Sequence, residues 1–347
     1  MFKNEVAEFI YKRTYSRWIE QEGRREEWPE TIERFIDFLI SKRGKNIPEK
    51  TIRKIRKYMT EFAVMPSMRF LWSSGPAAEK DNTVIYNCSF AKLNCVEAFA
   101  ECLHILMCGT GFGFSVEAEE VEKLPSIPEI KSGKDIARVI IEDSREGWAD
   151  SVKILMNSLY EGQNLYFDYS QLRPEGARLS TMGGRSSGPQ PLIKLHDFLR
   201  ETMHNAQGRK LTTLECHDIA NQIAEIVVAG GVRRSSQISL SDLDDEDMRH
   251  AKDWPFPIRR AMANNSAIYR DQPTAADFLV EWGVLAKSGS GERGIFNLKS
   301  AQNQAPSRRY APLIQGTNPC GEIMLRDMEF CNLSEVVVRE DDDLDTL

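Results

Sequence analysis

The sequence predicts an α/β protein that opens with a helical segment, and two observations carry the prediction. Over residues 1–63 apolar side chains recur every three or four positions: Val6, Phe9, Ile10 and Trp18, then Ile32, Phe35, Ile36 and Leu39, then Ile52, Ile55, Tyr58 and Met59. That period belongs to helices with one buried face. From Met65 onward short apolar runs, glycine-rich turns and helical periods follow one another, which argues for strands alternating with helices. Two domains are expected, 1–64 and 65–347.

Taken in order, Pro29 and Pro48 fall where helices start, the position that tolerates proline. Strands are expected at 83–90, 112–116, 237–240, 266–269, 294–297 and 333–339. Helices are expected at 96–107, 144–160, 192–205, 213–229, 244–251 and 275–288. No internal repeat and no low-complexity linker interrupts 65–347, which reads as one continuous domain.

The 347 residues provide ample core material, with 41% hydrophobic and 28% charged side chains. No apolar run approaches the roughly 18 residues that span a bilayer. Met-Phe-Lys-Asn-Glu leads straight into a charged helical pattern rather than a leader, so the reading is cytosolic. Net charge is −7, much of it in the acidic run at 339–345. Basic residues are scattered among acids, so no nucleic-acid surface is expected. Seven cysteines form an odd set without a repeated Cys-x-x-Cys spacing, and the five histidines are dispersed. No metal site is expected, and the default is a set of thiols, most of them buried. Cys95, Cys102 and Cys108 fit that default, and Cys216-His217 reads as core or surface.

The chemically richest stretch is Thr-Asn-Pro-Cys-Gly-Glu-Ile at 317–323. Asn318, Cys320 and Glu322 alternate on a short segment read as extended, with Pro319 and Gly321 shaping the backbone, and Cys331 follows eleven residues after Cys320. A thiol can give up hydrogen or electrons, a carboxylate can take a proton, and an amide can hold a hydroxyl. Asn318 could equally cap a turn, Glu322 could be a solvated strand residue, and Cys88 a small buried hydrophobe. Gly109, Gly111 and Gly113 suit a loop that approaches a base or phosphate closely. The run lacks both the dinucleotide fingerprint and the lysine of a P-loop.

The segments Asn-Pro-Cys-Gly-Glu-Ile and Phe-Cys-Asn-Leu-Ser-Glu-Val resemble the active-site finger loop of ribonucleotide reductases, and most nearly the monomeric adenosylcobalamin-dependent ribonucleoside-triphosphate reductases. Further anchors are Tyr-Lys-Arg-Thr-Tyr-Ser-Arg-Trp at 11–18, Met-Pro-Ser-Met-Arg-Phe-Leu-Trp at 65–72, Tyr-Asn-Cys-Ser-Phe at 86–90 and Cys-Gly-Thr-Gly-Phe-Gly-Phe-Ser-Val-Glu at 108–117. Arg-Pro-Glu-Gly-Ala-Arg-Leu at 173–179, Gly-Gly-Arg-Ser-Ser-Gly-Pro at 183–189 and Gly-Gly-Val-Arg-Arg-Ser at 230–235 complete the series. The resemblance implies a helical domain followed by the first portion of a ten-stranded α/β barrel, with the Cys320 loop threading its centre. It implies reduction of ribonucleoside triphosphates to deoxyribonucleotides for DNA synthesis, with adenosylcobalamin as cofactor. Cys320 matches the thiyl position, Glu322 the base at the 3′-hydroxyl, Asn318 the amide orienting the ribose, and Cys88 with Cys331 the redox dithiol. Ser67, Ser89, Gly109 and Gly111 match substrate-contacting regions. Arg233, Arg234 and Gln237 match the loop linking a dNTP or ATP effector to substrate choice. A thioredoxin-like reductant is the implied partner.

Members of that family continue well past the equivalent of residue 339, so a complementing C-terminal half or chain is expected. The stretch from Cys88 to Cys320 is compact beside the monomeric members. Two other readings stand: the large subunit of a di-iron reductase, against which the Cys320–Cys331 spacing speaks, and an inactive nucleotide-binding fragment, against which the five intact site residues speak.

Overall fold

The computed structural model describes residues 2–43, 46–131, 138–179, 185–230, 235–340 and 342–343. The chain forms two compact units, Met1–Asn87 with Asn332–Leu347, and Cys88–Cys331. The expected domain boundary after residue 64 compares with this division at Asn87.

In the first unit, helices Glu5–Thr14, Trp28–Arg43 and Glu49–Thr60 bury Tyr11, Trp28, Ile32, Phe35, Ile36, Ile52 and Met59 together with Leu71. Asn4 starts the first helix, its Oδ1 accepting from the Ala7 amide at 2.9 Å. That helix turns Tyr11 inward and leaves Val6, Phe9 and Ile10 exposed, the reverse of the face its periodicity suggests. The deciding contact is polar: Tyr11 Oη sits 2.6 Å from Thr31 Oγ1 with its ring edge-on to Trp28. Strand Val64–Pro66 pairs antiparallel with Ser334–Val336. Ser67 follows it and caps helix Met68–Ser73, its hydroxyl accepting from the Phe70 amide.

The second unit is built on a six-stranded sheet. Five strands, β1 (Cys88–Lys92), β2 (Gly111–Ser115), β3 (Gln237–Asp242), β4 (Ala263–Tyr269) and β5 (Gly294–Asn297), run parallel in chain order. Helices α1 (Val96–Met107), α2 (Arg145–Tyr160), α3 (Gln190–Asn205) and α4 (Thr213–Gly230) fall between the first three strands, and α5 (Ala275–Ser288) between the last two. Long crossovers of this kind are what parallel pairing requires. After β5 the chain forms a two-stranded hairpin, β6 (Gly316–Thr317) and β7 (Met324–Leu325), and then β8 (Glu329–Cys331), which adds to the sheet antiparallel to β1. The order is β5-β4-β3-β2-β1-β8, the first portion of the expected barrel.

Strand alternation sorts the two faces. Ala91, Phe112, Phe114 and Val116 join α1–α4 in the larger core, while Cys88, Phe90, Ile238, Leu240, Ile268 and Phe296 join Ile314, Leu325 and Cys331 on the other face. The helices expected at 96–107 and 275–288 are found at those limits. The strand expected at 83–90 is replaced in its first half by a 3-10 turn, Asn82–Ile85, where Asp81 Oδ1 accepts from the Thr83 amide and favours a turn over extension. Of the α1 cysteines, Cys102 and Cys108 are buried and Cys95 is exposed. Among the described residues no helix is long and apolar enough to cross a membrane.

Candidate active site

Cys320 stands at the tip of the hairpin rather than on an extended segment. The Gly321 amide donates to the Asn318 carbonyl at 2.9 Å, closing a four-residue turn with Asn first, Pro second and Gly last, the residues such turns favour. Gly321 holds φ at +83°, a conformation natural to glycine. Cys320, Gly321 and Glu322 are exposed, whereas Asn318 and Pro319 are buried. Asn318 Oδ1 accepts from the Ile323 amide at 3.0 Å, tying the two arms of the turn together. Its Nδ2 is buried and has no hydrogen-bond partner among the described residues, so both of its N–H donors are left unspent.

The glycine run before β2 has a different purpose from the one its composition suggests. Gly109, with φ +75°, ends α1: its amide donates to Leu106 and the next amide, of Thr110, to Ile105, the pattern of a left-handed helix stop. Gly111 and Gly113 face the hairpin. A Cβ on Gly111 would lie 3.1 Å from Cys88 Sγ and 3.2 Å from Pro319 Cγ, and one on Gly113 only 2.2 Å from the Thr317 carbonyl oxygen. A Cβ on Gly316 would strike the Phe90 ring at 2.2 Å. The close approach these glycines permit is that of the protein's own hairpin, laid directly across β1 and β2.

Cys88 and Cys331 are register partners on β1 and β8. Directly opposed antiparallel residues have Cα atoms about 4.5–5.5 Å apart, inside the roughly 7 Å limit for a disulfide. Both side chains face the hairpin and are buried, at 6% and 5% exposure. The hydrogen bond with Cys88, then burial, pushes the Cys331 thiol strongly up, so Cys331 keeps its proton at neutral pH.

The other anticipated contacts lie elsewhere. Ser89 belongs to the helix-covered face, 2% exposed, and its hydroxyl donates to the Gly111 carbonyl at 3.1 Å. Ser67 is 1% exposed and occupied as a helix cap in the first unit. Gln237 is no loop residue: it opens β3, is 3% exposed, and its amide donates to the Ala220 carbonyl and Cys102 Sγ under α4 and α1. The alternation that turns Ile238 toward the hairpin turns Gln237 away. Arg233 and Arg234 lie outside the described residues. Sequence reasoning missed Arg309, whose guanidinium holds both β7 and β8; no spacing marks it. It also missed Arg145, which donates to the buried Cys108 Sγ at 3.2 Å with His104 Nε2 3.6 Å from that sulfur.

A parallel half-barrel crossed by a cysteine-tipped hairpin is a ribonucleotide reductase architecture. A crystal structure of a B12-dependent (class II) ribonucleotide reductase superimposes with a TM-score of 0.79 and 26% identity over 94% of this chain and 55% of that one. The class Id alpha subunit of Actinobacillus ureae shares the fold, with a TM-score of 0.53 and 12% identity over 96% and 49% of the two chains. The ribonucleotide reductase alpha domain family matches residues 1–76, and the B12-dependent ribonucleotide reductase insertion domain matches 115–203. Adenosylcobalamin-dependent ribonucleoside-triphosphate reductases are 30% identical in Lactobacillus gasseri and 28% in Levilactobacillus brevis, each over 96% of this chain and 54% of the relative. By these likenesses the chain is similar to the ribonucleotide reductases, and to their adenosylcobalamin-dependent members in particular. It spans about half the length of the curated relatives it matches. Those alignments run over 413 residues against a chain of 347, so the relatives carry residues inside the matched stretch that this chain lacks.

Proposed function

We propose that this chain carries the radical and dithiol half of an enzyme that reduces ribonucleoside triphosphates to 2′-deoxyribonucleoside triphosphates. The observation that carries the reading is the in-register pair Cys88–Cys331 beneath a hairpin tipped by Cys320. A thiyl on Cys320 would take the 3′-hydrogen of the ribose, Glu322 would accept the 3′-hydroxyl proton, and the open Nδ2 of Asn318 would hold a ribose hydroxyl. The 2′-hydroxyl leaves as water, and Cys88 with Cys331 supply two electrons and two protons, becoming a disulfide. A thioredoxin-like dithiol would return them to thiols, in a reducing compartment.

The hairpin tip is open to an approaching group: Cys320, Gly321 and Glu322 are exposed, and nothing lies within 4 Å of a Cβ placed on Gly321. These tip residues would face the cofactor. When bound, adenosylcobalamin supplies the radical that takes the hydrogen from the Cys320 thiol.

A complementing half is part of the proposal. Helix α5 buries only Glu281, while Phe278, Leu279, Val280 and Trp282 are 37–65% exposed, as is Ile295 on the edge strand β5 at 47%. An apolar face and a parallel edge unpaired among the described residues call for a covering element. A dNTP or ATP effector acting near Arg233 and Arg234 is proposed on the family resemblance alone.

The test is deoxynucleotide formation from ribonucleoside triphosphates, adenosylcobalamin and a dithiol, by this chain with the relatives' second half supplied in trans. Product that disappears in Cys320→Ala supports the reading. Product that survives in Cys320→Ala, or that needs a di-iron subunit in place of cobalamin, overturns it.

A further inference from the structure

We propose that Arg309 is a positioning residue that, through Glu329, holds the Cys320 hairpin and the Cys331 strand as one body and so sets how closely Cys331 meets Cys88. The inference rests on the dithiol reading above.

Arg309 precedes the hairpin in sequence and reaches both elements that follow it. Its Nη1 donates to the Met324 carbonyl on β7 at 2.5 Å, and its Nη2 to Glu329 Oε2 on β8 at 2.8 Å. Glu329 also accepts from the Arg326 amide at 2.8 Å and from Arg326 Nε at 3.2 Å. Asp327 Oδ1 accepts from the Lys92 amide at the far end of β1, at 2.9 Å. The connection from Met324 to Cys331 is thereby fastened to the hairpin, to itself and to the strand that carries Cys88.

A guanidinium suits this place because its planar fork serves a carbonyl and a carboxylate at once; an ammonium is a single point charge. Partial burial pushes the Glu329 carboxyl up, but the Arg326 amide and guanidinium and the Arg309 charge outweigh it and hold the carboxyl below its ordinary range. Glu329 therefore stays ionised at neutral pH. Cys331 lies two residues beyond it on the same strand face, so the clamp fixes the strand at one repeat from the thiol. Loosening it widens the range of Cys88–Cys331 separations and lowers the effective concentration of one thiol toward the other.

The test uses the 347-residue chain equilibrated with glutathione at defined ratios. Cys88 and Cys331 each lose a hydrogen and join through a new S–S bond, while one glutathione disulfide is cleaved to two glutathione thiols. The bridged fraction is counted by mass spectrometry of the linked peptide, at a temperature well below unfolding. R309A and E329Q are each expected to lower the bridging constant about tenfold, equivalent to about 30 mV for a two-electron couple. R309K should fall between R309A and the parent, and the R309A/E329Q effect should be smaller than the product of the single effects, because both variants remove the Arg309–Glu329 contact. Bridging constants within twofold of the parent, or effects that multiply in the double variant, overturn the inference. A merely structural role would lower the melting temperature and leave the glutathione equilibrium in place. Should R309A fail to fold, the isosteric E329Q decides the matter. A parent chain that never bridges overturns the dithiol reading itself, whereas a bridging parent with indifferent variants overturns only the assignment of Arg309.

Discussion

Cys331 stands directly opposite Cys88 across two antiparallel strands, although the two are 243 positions apart in the sequence. Mild oxidation of the chain should therefore yield a single Cys88–Cys331 linkage, found as one cross-linked peptide, with no bridge to Cys320. Cys331→Ser should abolish it without unfolding the chain. A linkage from Cys320 to either thiol, as the main product, would contradict the arrangement.

Gly113 lies where the hairpin backbone crosses β2. Gly113→Ala puts a methyl 2.2 Å from the Thr317 carbonyl oxygen, and main chain has little room to give, so a loss of about 1–3 kcal/mol is expected from overpacking. Gly283→Ala is the control. It lies in the middle of α5 with open space around it, and should stabilise the chain by about 0.5–1 kcal/mol through helix propensity. Urea midpoints measure both, and equal responses at the two glycines would refute the packing argument.

His196 and His217 are fully buried, and desolvation lowers each from the ordinary 6.5 to about 3. His196 lies between Ser151 and Tyr169, and His217 between Ser239 and Asn221. Between those pH values the unfolded chain binds the protons that the folded chain refuses, so stability falls as pH drops below 6.5. The slope is about 1.4 kcal/mol per pH unit for each histidine. Denaturant midpoints at pH 7 and pH 5 test this; a flat profile would show that the rings are hydrated or protonated when folded.

Leu279 and Val280 are 65% and 55% exposed on α5. Leu279→Lys with Val280→Lys should leave the melting temperature of this chain unchanged, since no packing is lost. It should weaken association with a complementing half at least tenfold in a titration. Unchanged association would place the covering element elsewhere.

Much of this protein is legible before folding is considered. Apolar periodicity marks α1 and α5 to the residue, because a helix reports its face in local spacing. The order Asn318, Cys320, Glu322 marks the segment proposed to react for the same reason: a four-residue turn keeps its chemistry within a few positions. The face of the first helix, the hairpin bed and the thiol pair are different in kind. Tyr11 wins over Phe9 through Thr31, which lies on another helix. Gly111 and Gly113 resemble a ligand loop until Thr317 and Pro319 arrive from 200 residues downstream. Ser89 and Gln237 sit among site-like motifs, yet the two-residue alternation of a strand turns each to the face opposite Cys88 and Ile238. Only sheet order and register decide such matters, since they are set by which distant segments bury apolar surface together. The sequence by itself determined the kind of chemistry proposed for this protein, through residues that lie within one turn of chain. The tertiary structure alone decided which thiols meet, which glycines make room and which arginine holds the two together.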